Sequence, residues 1–477
     1  MAKMFDLGWS DMAWRDGQEV VTNAGQIMVM RVQDSGVAIQ EKDVADSRWS
    51  LRWMLFHHAR EILRPYNVLR SEYRDWPKSY APKLVFKLDS LEGDALRYPL
   101  GPLTFIAKEH KGRAVLGRDF SPVGAVDREP IFRVITCHQN LLKEVEVWRD
   151  SRNNGRALFH QVVKCGDFWR CPVCSHRITM GRRAEIGDIY NQVAGPGKGA
   201  AYLVTFTVPH TREDRLEDLL RQMLYARDRL ADGAWGKRLT RPAGKTAKTQ
   251  DRLGDLYIGR MRTLEITWSS SNGWHPHLHE MWVFEQEIPE ARKGLFEKLP
   301  EAWADACEDW WLRRPGMNGV DMRRIFGNAE YLAKFGGEKR SWGAEYELAA
   351  GHGKTKSVGP WTLLENSMYG DMTSRAAFIE YAHALRAVSP SSVHVGGRLA
   401  YAIKQLGLTA TDDEGLASRL GSDAELVATI SSQEFRVIAR HRAFDTFLRL
   451  VESAGSEVAL DWVSRLTEQN PTDRLFT

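Results

Sequence analysis

The segment GWHPHLHEMWVF, residues 273–284, alternates histidines with bulky apolar residues. Successive side chains of a β-strand point to opposite faces, so His277 and His279 are predicted to share one face while Leu278 faces the core. Residues 264–268, LEITW, form a second strand pattern, and the intervening SSSNG is typical of a turn. The sequence therefore predicts a β-hairpin that carries a histidine pair on one face.

The histidine pair has the spacing of a metal site. Two imidazoles on one strand face can bind the same ion, and Glu265 on the facing strand supplies a candidate carboxylate ligand. Such a ligand set leaves coordination positions open, which favours a catalytic site over a structural one. Because Pro276 cannot donate to a ladder, the strand is predicted to begin near His277 and to leave His275 outside the site. Hydrogen-bonded strand histidines without an ion are the alternative.

Patterns on both sides of the hairpin indicate an α+β fold. Residues 201–210, AYLVTFTVPH, alternate with a period of two and predict a further strand. Residues 212–233 have apolar side chains at helical spacing, and residues 287–312 also look helical. NAEYLAKFGG, residues 328–337, predicts a helix that ends at its glycines, and the chain after residue 397 is predicted to be mostly helical. We therefore expect a central antiparallel sheet with flanking helices.

Tyr331 and Lys334 are three residues apart in this predicted helix and share one of its faces. A phenol has a pKa near ~10 and is a poor nucleophile at neutral pH unless a cation or a metal assists it. Lys334 would supply positive charge beside a reacting phosphate. A tyrosine in the core with a lysine at the surface is the structural alternative.

The cysteines predict a second metal site. Cys171 and Cys174 have the spacing of a zinc-binding turn, Cys165 lies six residues upstream, and Cys137 is the candidate fourth ligand. We expect a structural zinc site with four cysteine ligands, against the alternative of unliganded buried thiols. Three histidines are alternatives for the fourth position: His138, His160 and His176.

Residues 237–262 contain eight Lys or Arg against two Asp. Their position before the histidine hairpin favours contact with a DNA backbone, although a solvated loop is the alternative. The candidate DNA-binding residues are Arg238, Arg241, Lys245 and Lys248.

The composition of the whole chain limits the partners and the location that we expect. The 66 Lys and Arg exceed the 62 Asp and Glu by only 4, so net charge permits a nucleic-acid partner without requiring one. The sequence shows no signal-peptide pattern and no apolar run of ~20 residues, so we expect a cytoplasmic protein without membrane contact. We divide the 477 residues into an N-terminal region of unassigned role, a zinc-binding subdomain, a catalytic domain and a helical C-terminal region: 1–130, 131–195, 196–375 and 376–477.

Three segments, in this order, resemble the motifs of the HUH endonuclease superfamily: TFTVPH (205–210), GWHPHLHE (273–280) and YLAK (331–334). Within that superfamily, the chain looks most similar to the replication initiators of rolling-circle plasmids. The resemblance covers about residues 130–370, and an upstream cysteine before a C-P-x-C turn is similar to an arrangement in some of these initiators.

The resemblance implies a nick-and-join reaction on DNA. Tyr331 would be the nucleophile that forms a 5′-phosphotyrosine, while His277, His279 and Glu265 would bind Mg²⁺ or Mn²⁺. Some initiators carry a Glu four residues before the tyrosine, where this chain has Gly327, so Glu330 is the remaining candidate base.

The implied partners are single-stranded or hairpin origin DNA and a host helicase and polymerase. Tyr346 and Tyr369 are reserve candidates for a second nucleophile. A relaxase or a single-tyrosine transposase is a related alternative. In another class, the chain would be a zinc-stabilised DNA-binding regulator without catalytic activity.

Overall fold

The structure is a computed structural model, and it describes residues 19–21, 27–29, 41–64, 96–98, 101–105, 109–110, 113–114, 132–150, 155–195, 197–246, 251–325, 357–405 and 412–469. The chain divides into two units. What we call the cysteine unit comprises Met1–Arg60, Thr136–Ala184 and Ala410–Thr477. The histidine unit comprises Glu61–Ile135 and Glu185–Thr409.

The described strands are β1 (Glu19–Val21), β2 (Ile27–Val29), β3 (Leu96–Tyr98), β4 (Gly101–Phe105), β5 (Glu109–His110), β6 (Arg113–Ala114), β7 (Leu141–Asp150), β8 (Arg156–Val162), β9 (Ala200–Thr207), β10 (Tyr257–Ser269), β11 (Gly273–Phe284), β12 (Val320–Ile325), β13 (His394–Gly397) and β14 (Glu425–Ile430).

The described α-helices are α1 (Glu41–Leu63), α2 (Pro172–Val193), α3 (Leu216–Asp232), α4 (Ala234–Thr240), α5 (Gly294–Glu297), α6 (Leu299–Asp309), α7 (Pro360–Met368), α8 (Met372–Val388), α9 (Arg398–Gln405), α10 (Asp413–Ser418), α11 (Ser432–Arg440), α12 (Phe444–Ser453) and α13 (Ser456–Gln469). Short 3₁₀ turns occur at Arg133–Ile135, Glu290–Arg292 and Met317–Gly319.

A five-stranded sheet forms the centre of the histidine unit. Its strand order is β12-β9-β11-β10-β13, and every neighbouring pair is antiparallel. The predicted strand at 201–210 corresponds to β9, and the predicted helix at 212–233 corresponds to α3. The predicted combination of antiparallel sheets with flanking helices is confirmed.

The predicted hairpin is present, and it is longer than its sequence pattern suggested. Strands β10 and β11 pair from Tyr257–Phe284 to Ser269–Gly273. The prediction that the histidine-bearing strand begins near His277 is wrong, because β11 begins at Gly273 and includes Pro276. Pairing of β11 with β9 ends at His277, so Pro276 lies where that side of the strand has no partner and its missing N–H breaks no bond to β9.

The two faces of this sheet pack against different helices. On the face that carries the histidines, Met261 and Met281 pack with Ile189 of α2 and Leu399 of α9. We call this the histidine face. On the opposite face, Trp282 contacts Phe206 and Trp235, with ring centroids 6.3 and 5.5 Å away. We call this the arginine face, because an arginine–glutamate cluster lies within it.

Helix α3 follows from its sequence pattern. Its apolar residues Leu219, Leu220, Met223 and Leu230 are buried on one side, as the helical spacing requires. The predicted single helix at 287–312 is divided in the structure into a 3₁₀ turn and helices α5 and α6. Pro300 occupies the first turn of α6, where its missing N–H costs no intrahelical bond.

Helix α3 also supplies the partner of a buried carboxylate. Arg227 donates to both carboxylate oxygens of Glu280 at 2.9 and 2.6 Å, and the two side chains are 1% and 0% exposed. The indole N–H of Trp282 donates to Glu280 Oε2 at 2.6 Å. Burial would raise the pKa of Glu280, but the neighbouring Arg227 and Arg260 hold it at about 2.

Replacing Glu280 with glutamine should lower the free energy of unfolding of the histidine unit by about 3–5 kcal/mol, because Arg227 would remain buried without its counter-charge. The folded-state pKa lies below the ordinary value of 4.5, so the carboxylate contribution is complete above that value and is lost as the pH falls towards 2. The difference between wild type and variant in urea unfolding should therefore shrink over that pH range.

Glu290→Gln is the matched control for this prediction. Glu290 is 86% exposed and pairs with Lys293, so its replacement should change the free energy of unfolding by less than about 1 kcal/mol. Equal effects of the two substitutions would contradict the role given to Glu280.

The cysteine unit is organised around a three-stranded antiparallel sheet with the order β14-β7-β8. Helix α12 packs on this sheet through Phe447, whose ring stacks on Phe159 with centroids 5.7 Å apart. A capping box fixes the start of α11: the Ser431 hydroxyl accepts from the backbone N–H of Glu434, whose carboxylate accepts from the N–H of Ser431.

The structure groups the predicted segments differently from the four-part division of the sequence. Residues 136–184, which carry the cysteines, share a unit with residues 410–477, because β14 pairs with β7. Residues 376–409 belong instead to the histidine unit, where β13 extends the sheet beside β10. The C-terminal region is mostly helical, as predicted, but it includes these two strands.

No helix within the described ranges combines the length and the apolar character that a bilayer span requires.

Candidate functional site

Three histidines form a row on the histidine face of β11. The rings of His275 and His277 have centroids 4.1 Å apart, and those of His277 and His279 are nearly parallel with centroids 5.8 Å apart. Glu265 of β10 is the cross-strand partner of His277. The predicted ligands His277, His279 and Glu265 are therefore brought together on adjacent strands.

His279 has both ring nitrogens in hydrogen bonds. Its Nδ1 lies 3.0 Å from the hydroxyl of Thr205 on β9, and its Nε2 lies 2.7 Å from Glu265 Oε2 on β10. The ring is 1% exposed, whereas the Glu265 side chain is 36% exposed. Neighbouring strands on both sides thus fix the orientation of His279, and its carboxylate partner reaches the surface.

His275, which the sequence predicted to lie outside the ligand set, is on β11 beside the two predicted histidine ligands, and its exclusion from the ligand set stays a prediction. His275 Nε2 is 2.9 Å from the hydroxyl of Thr207, and its ring lies 4.5 Å from that of His210. Burial and the neighbouring His210 lower the pKa of His275. Because β11 begins two residues earlier, at Gly273, His275 is already on the strand and faces the same side as the other two histidines.

The donor chemistry of this row suits a divalent ion. Imidazole nitrogens and a carboxylate are the ligands that catalytic zinc, manganese and related ions take in proteins. Here the carboxylate of Glu265 forms a direct hydrogen bond with His279. Within the described ranges, the four cysteines are the one group of three or more potential ligands whose donor atoms all lie within 4.8 Å of one another. The histidine row therefore fits a metal by its residue types, and its ligands are less closely gathered than the thiols.

The candidate nucleophile and its neighbours lie outside the described residues. Tyr331, Lys334 and Glu330 fall in residues 326–356, as does the reserve tyrosine Tyr346. Their predicted roles stay predictions. Tyr369, the other reserve candidate, directly follows α7 and is 68% exposed.

The second candidate site is in the cysteine unit, where all four predicted thiols meet. The sulfur atoms of Cys137 and Cys165 each lie 3.6 Å from that of Cys174, and the sulfur of Cys171 lies 3.9 Å from that of Cys137. A tetrahedral zinc ion with Zn–S bonds of ~2.3 Å places its sulfur atoms ~3.8 Å apart. The buried cluster can therefore hold a metal such as zinc.

The start of helix α2 positions two of these thiols. Pro172 is the first residue of the helix, so Cys171 directly precedes the helix and Cys174 lies in its first turn. The backbone N–H of Cys165 donates to the Cys137 sulfur at 3.4 Å, and the N–H of Asp167 donates to the Cys165 sulfur at 3.4 Å. These bonds favour negatively charged sulfur.

Three thiols of the cluster differ in the direction in which their pKa is shifted. Burial raises the pKa of Cys165 and Cys171. Burial would also raise the pKa of Cys137, but hydrogen bonds with the three other thiols hold it well below its ordinary value. A bound cation would stabilise all four as thiolates.

Among the described residues, the fourth member of the cluster is Cys137, and none of the three alternative histidines belongs to it. His138 contacts the Cys137 sulfur through Nδ1 at 3.1 Å, and His160 bonds to Glu146 at 3.0 Å. His176 is buried, and burial lowers its pKa. Cys307, which was not predicted as a ligand, is buried in α6 of the histidine unit.

The chain is similar to a protein named Protein rep. That relative is from Streptomyces lividans and is 33% identical over 262 residues, covering 46% of this chain and 56% of the relative. A protein named Neomycin resistance protein, from Streptomyces cyanogenus, is 36% identical over 178 residues, covering 33% of this chain and 40% of the relative. The chain thus spans about half the length of the curated relatives it matches. No family model matches the chain, and no solved structure matches it significantly.

This similarity bears on the family that the motifs indicated. A relative named Rep supports a Rep-like protein, which is the coarser part of that prediction. Membership of the HUH superfamily remains a prediction.

The candidate DNA-binding residues differ in their surroundings. Arg238 forms an ion pair with Asp251 at 3.2 Å, so its charge is partly offset. Arg241 and Lys245 are exposed, and Lys248 lies outside the described residues. Arg241 and Lys245 are thus the two whose described surroundings suit contact with a phosphate backbone.

Sequence reasoning missed the residues that hold the histidines in place. Thr205 and Thr207 contact His279 and His275, and His210 extends the row. The alternation in TFTVPH was a usable signal, because it places both hydroxyls on one face of β9. The segment alone does not show that these hydroxyls lie on the same face as the histidines, because that depends on the pairing of β9 with β11.

Proposed function

We propose that this chain initiates rolling-circle replication by nicking and rejoining one DNA strand. The observation that carries the proposal is the row of histidines on a central antiparallel strand, with Thr205 and Glu265 supplied by the strands on either side. Similarity to a protein named Rep supports an initiator role. The order of the three motifs supports the nicking chemistry.

His277, His279 and Glu265 would hold the divalent ion, taken to be Mg²⁺ or Mn²⁺. When bound, such an ion polarises a phosphoryl oxygen and offsets the charge that develops during displacement. The Thr205 hydroxyl contacts His279 Nδ1, so Nε2, on the Glu265 side, is the ring nitrogen that would be offered to the ion. His275 and Thr207 extend the polar surface towards the end of the hairpin.

In the proposed reaction, the Tyr331 oxygen attacks the scissile phosphorus, and the bond from phosphorus to the 3′ oxygen breaks. The phenolic proton leaves to a base, for which Glu330 is the candidate, and the departing 3′ oxygen takes up a proton to become a 3′-hydroxyl. Lys334 stabilises the charge on the phosphate. The 5′ phosphate stays on the tyrosine until a 3′-hydroxyl reverses the step, so phosphodiester bonds are conserved.

The proposed substrate is single-stranded or hairpin origin DNA, since the nucleophile needs an accessible backbone. Arg241 and Lys245 are the described candidates for contact with that backbone, and Arg238 and Lys248 complete the set. A host helicase and polymerase would then extend the free 3′ end. We assign the four-cysteine site a structural zinc ion, because a closed set of four thiolates leaves no open coordination position.

An adduct assay tests the nicking proposal. The protein is incubated with single-stranded oligonucleotides spanning the origin, with Mn²⁺ or with EDTA, and the products are separated under denaturing conditions. A nickase gives a metal-dependent covalent protein–DNA adduct and a free 3′-hydroxyl fragment. Tight binding without any adduct would contradict the proposal and favour the non-catalytic regulator. Transfer between two different duplexes without a free primer end would favour the transposase alternative.

Thr205→Val should raise the Mn²⁺ concentration for half-maximal adduct formation by about 10-fold or more, with the saturated rate little changed. The substitution removes the hydroxyl that orients His279 while leaving both imidazoles in place. His279→Ala should abolish the response to Mn²⁺. A Mn²⁺ titration of the initial rate of adduct formation measures both effects.

Thr267→Val is the matched control for this titration, since among the described residues the Thr267 hydroxyl donates only to the backbone oxygen of His275, at 3.4 Å. It should leave the Mn²⁺ dependence unchanged. If Thr205→Val lowered the saturated rate and left the Mn²⁺ midpoint in place, its assigned role would be wrong.

A further inference from the structure

The arginine face holds more guanidinium groups than its buried carboxylate can bind. Glu280 accepts two bonds from Arg227 and one from Trp282. Arg260 Nε reaches only to 3.4 Å from Glu280 Oε1 and has no hydrogen bond within the described structure. The hydrogen bonds of the carboxylate are therefore committed to Arg227 and Trp282. Its charge still acts on Arg260, whose Nε keeps an unused donor, whereas Arg262 of β10 has no comparable partner among the described residues.

Arg262 is the clearest case. Only 15% of its side chain is exposed, and its buried Nη1 makes no hydrogen bond to any described residue. The nearest carboxylate among the described residues is that of Asp228, 3.8 Å away, which is 63% exposed and so offsets the charge weakly. Burial lowers the pKa of Arg262 and outweighs the opposing attraction of Glu280, and the positive charge of Arg227 adds to the lowering. A buried guanidinium with unused donors is costly unless a ligand completes its bonds.

The surroundings of Arg262 open towards the sheet edge. On β13, His394 is the cross-strand partner of Arg262, and Gly396 is that of Arg260. His394 is exposed. A β-carbon at Gly396 would lie 3.7 Å from both the Arg260 guanidinium carbon and His394 Nε2, so the glycine keeps this edge free of a side chain. The cluster has three guanidinium groups, on Arg227, Arg260 and Arg262, against the carboxylates of Glu280 and Asp228.

We propose that Arg260 and Arg262, at the β13 edge of the arginine face, form a binding site for a phosphate oxyanion. Guanidinium donors suit phosphate oxygens in number and geometry, and charge-assisted bonds of this kind are stronger than neutral ones. The ligand is either a phosphodiester of a nucleic-acid strand or a free phosphate. The site faces away from the histidine row, so it goes beyond the proposed nicking reaction and does not depend on it.

Titration of the full-length protein with inorganic phosphate at constant ionic strength, followed by calorimetry, tests the site. Wild type should bind phosphate with a measurable heat, and Arg262→Gln should weaken that binding by about 10-fold or more. Asp228→Asn, at a largely exposed position, should strengthen binding by about two- to fivefold, because it removes a competing carboxylate. The second variant keeps the test valid if Arg262→Gln does not fold.

Arg229→Gln is the matched control. Arg229 is an exposed arginine of helix α3, next to Asp228, and it pairs with Asp309. This variant should leave phosphate affinity unchanged. Absence of phosphate binding by wild type, or equal affinity in wild type, Arg262→Gln and Asp228→Asn, would overturn the assignment.

A second titration, with a short single-stranded oligonucleotide that lacks terminal phosphates, identifies the source of the phosphate. If Arg262→Gln weakens oligonucleotide and inorganic phosphate binding in parallel, the natural ligand is a phosphodiester. If only inorganic phosphate binding changes, the site takes a free phosphate. Neither titration depends on covalent adduct formation, so failure of this inference is distinguishable from failure of the nicking proposal.

Discussion

Tyr331→Phe should abolish the covalent protein–DNA adduct, lowering its rate of formation by at least about 1,000-fold. Only one oxygen atom is removed, and that oxygen is the group proposed to attack phosphorus. Binding of the same oligonucleotide should be almost unchanged, because the proposed metal ligands and basic residues remain. Denaturing gel electrophoresis measures the adduct, and a native shift assay measures binding.

Tyr369→Phe provides the control for this experiment. Tyr369 is largely exposed after α7, and the same single oxygen is lost. This variant should form the adduct at the wild-type rate. If Tyr331→Phe still forms the adduct while Tyr369→Phe does not, the nucleophile has been assigned to the wrong residue.

The second large effect is expected at the four-cysteine cluster. Cys174→Ser should eliminate stoichiometric zinc and unfold the cysteine unit, because the sulfur of Cys174 lies 3.6 Å from those of both Cys137 and Cys165. Structural zinc sites contribute on the order of 10–16 kcal/mol in small zinc-binding peptides, so little of the unit should stay folded without the ion. Zinc content by mass spectrometry and protease sensitivity of residues 136–184 report the two outcomes.

Cys307→Ala tests whether the effect is specific to the cluster. Cys307 is equally buried but lies in α6 of the histidine unit. This variant should retain one zinc ion per chain. Full zinc content in Cys174→Ser, or equal loss in both variants, would contradict the proposed ligand set.

Local patterns predicted the parts of the site that depend on neighbours in the sequence. The alternation around His277 and His279 and the turn before it were sufficient for the β10–β11 hairpin and for a shared histidine face. Cys165, Cys171 and Cys174 lie within ten residues, and their spacing predicted a common site. In both cases the relevant geometry repeats over a few residues, which a single segment can reveal.

Features that depend on distant segments were missed or misjudged. Pro276 suggested a late strand start, because the sequence does not show that β9 stops pairing at His277. The buried pairing of Glu280 with Arg227 joins residues 53 positions apart and has no local signal. Thr205 reads as one polar residue of a strand until the pairing of β9 with β11 places it against His279. Tertiary pairing decides all three.

The pairing of β14 with β7 has a consequence for biosynthesis. The sheet of the cysteine unit joins residues far apart in the chain, and Arg149 donates to the carbonyl oxygen of Val451, 302 residues later. A chain is synthesised from its N-terminus, so residues 185–409 can begin to fold before β14 has been made. Until then β7, a central strand of the finished sheet, has an exposed edge that can pair with another chain. Premature termination before residue 425 would make that aggregation-prone edge permanent.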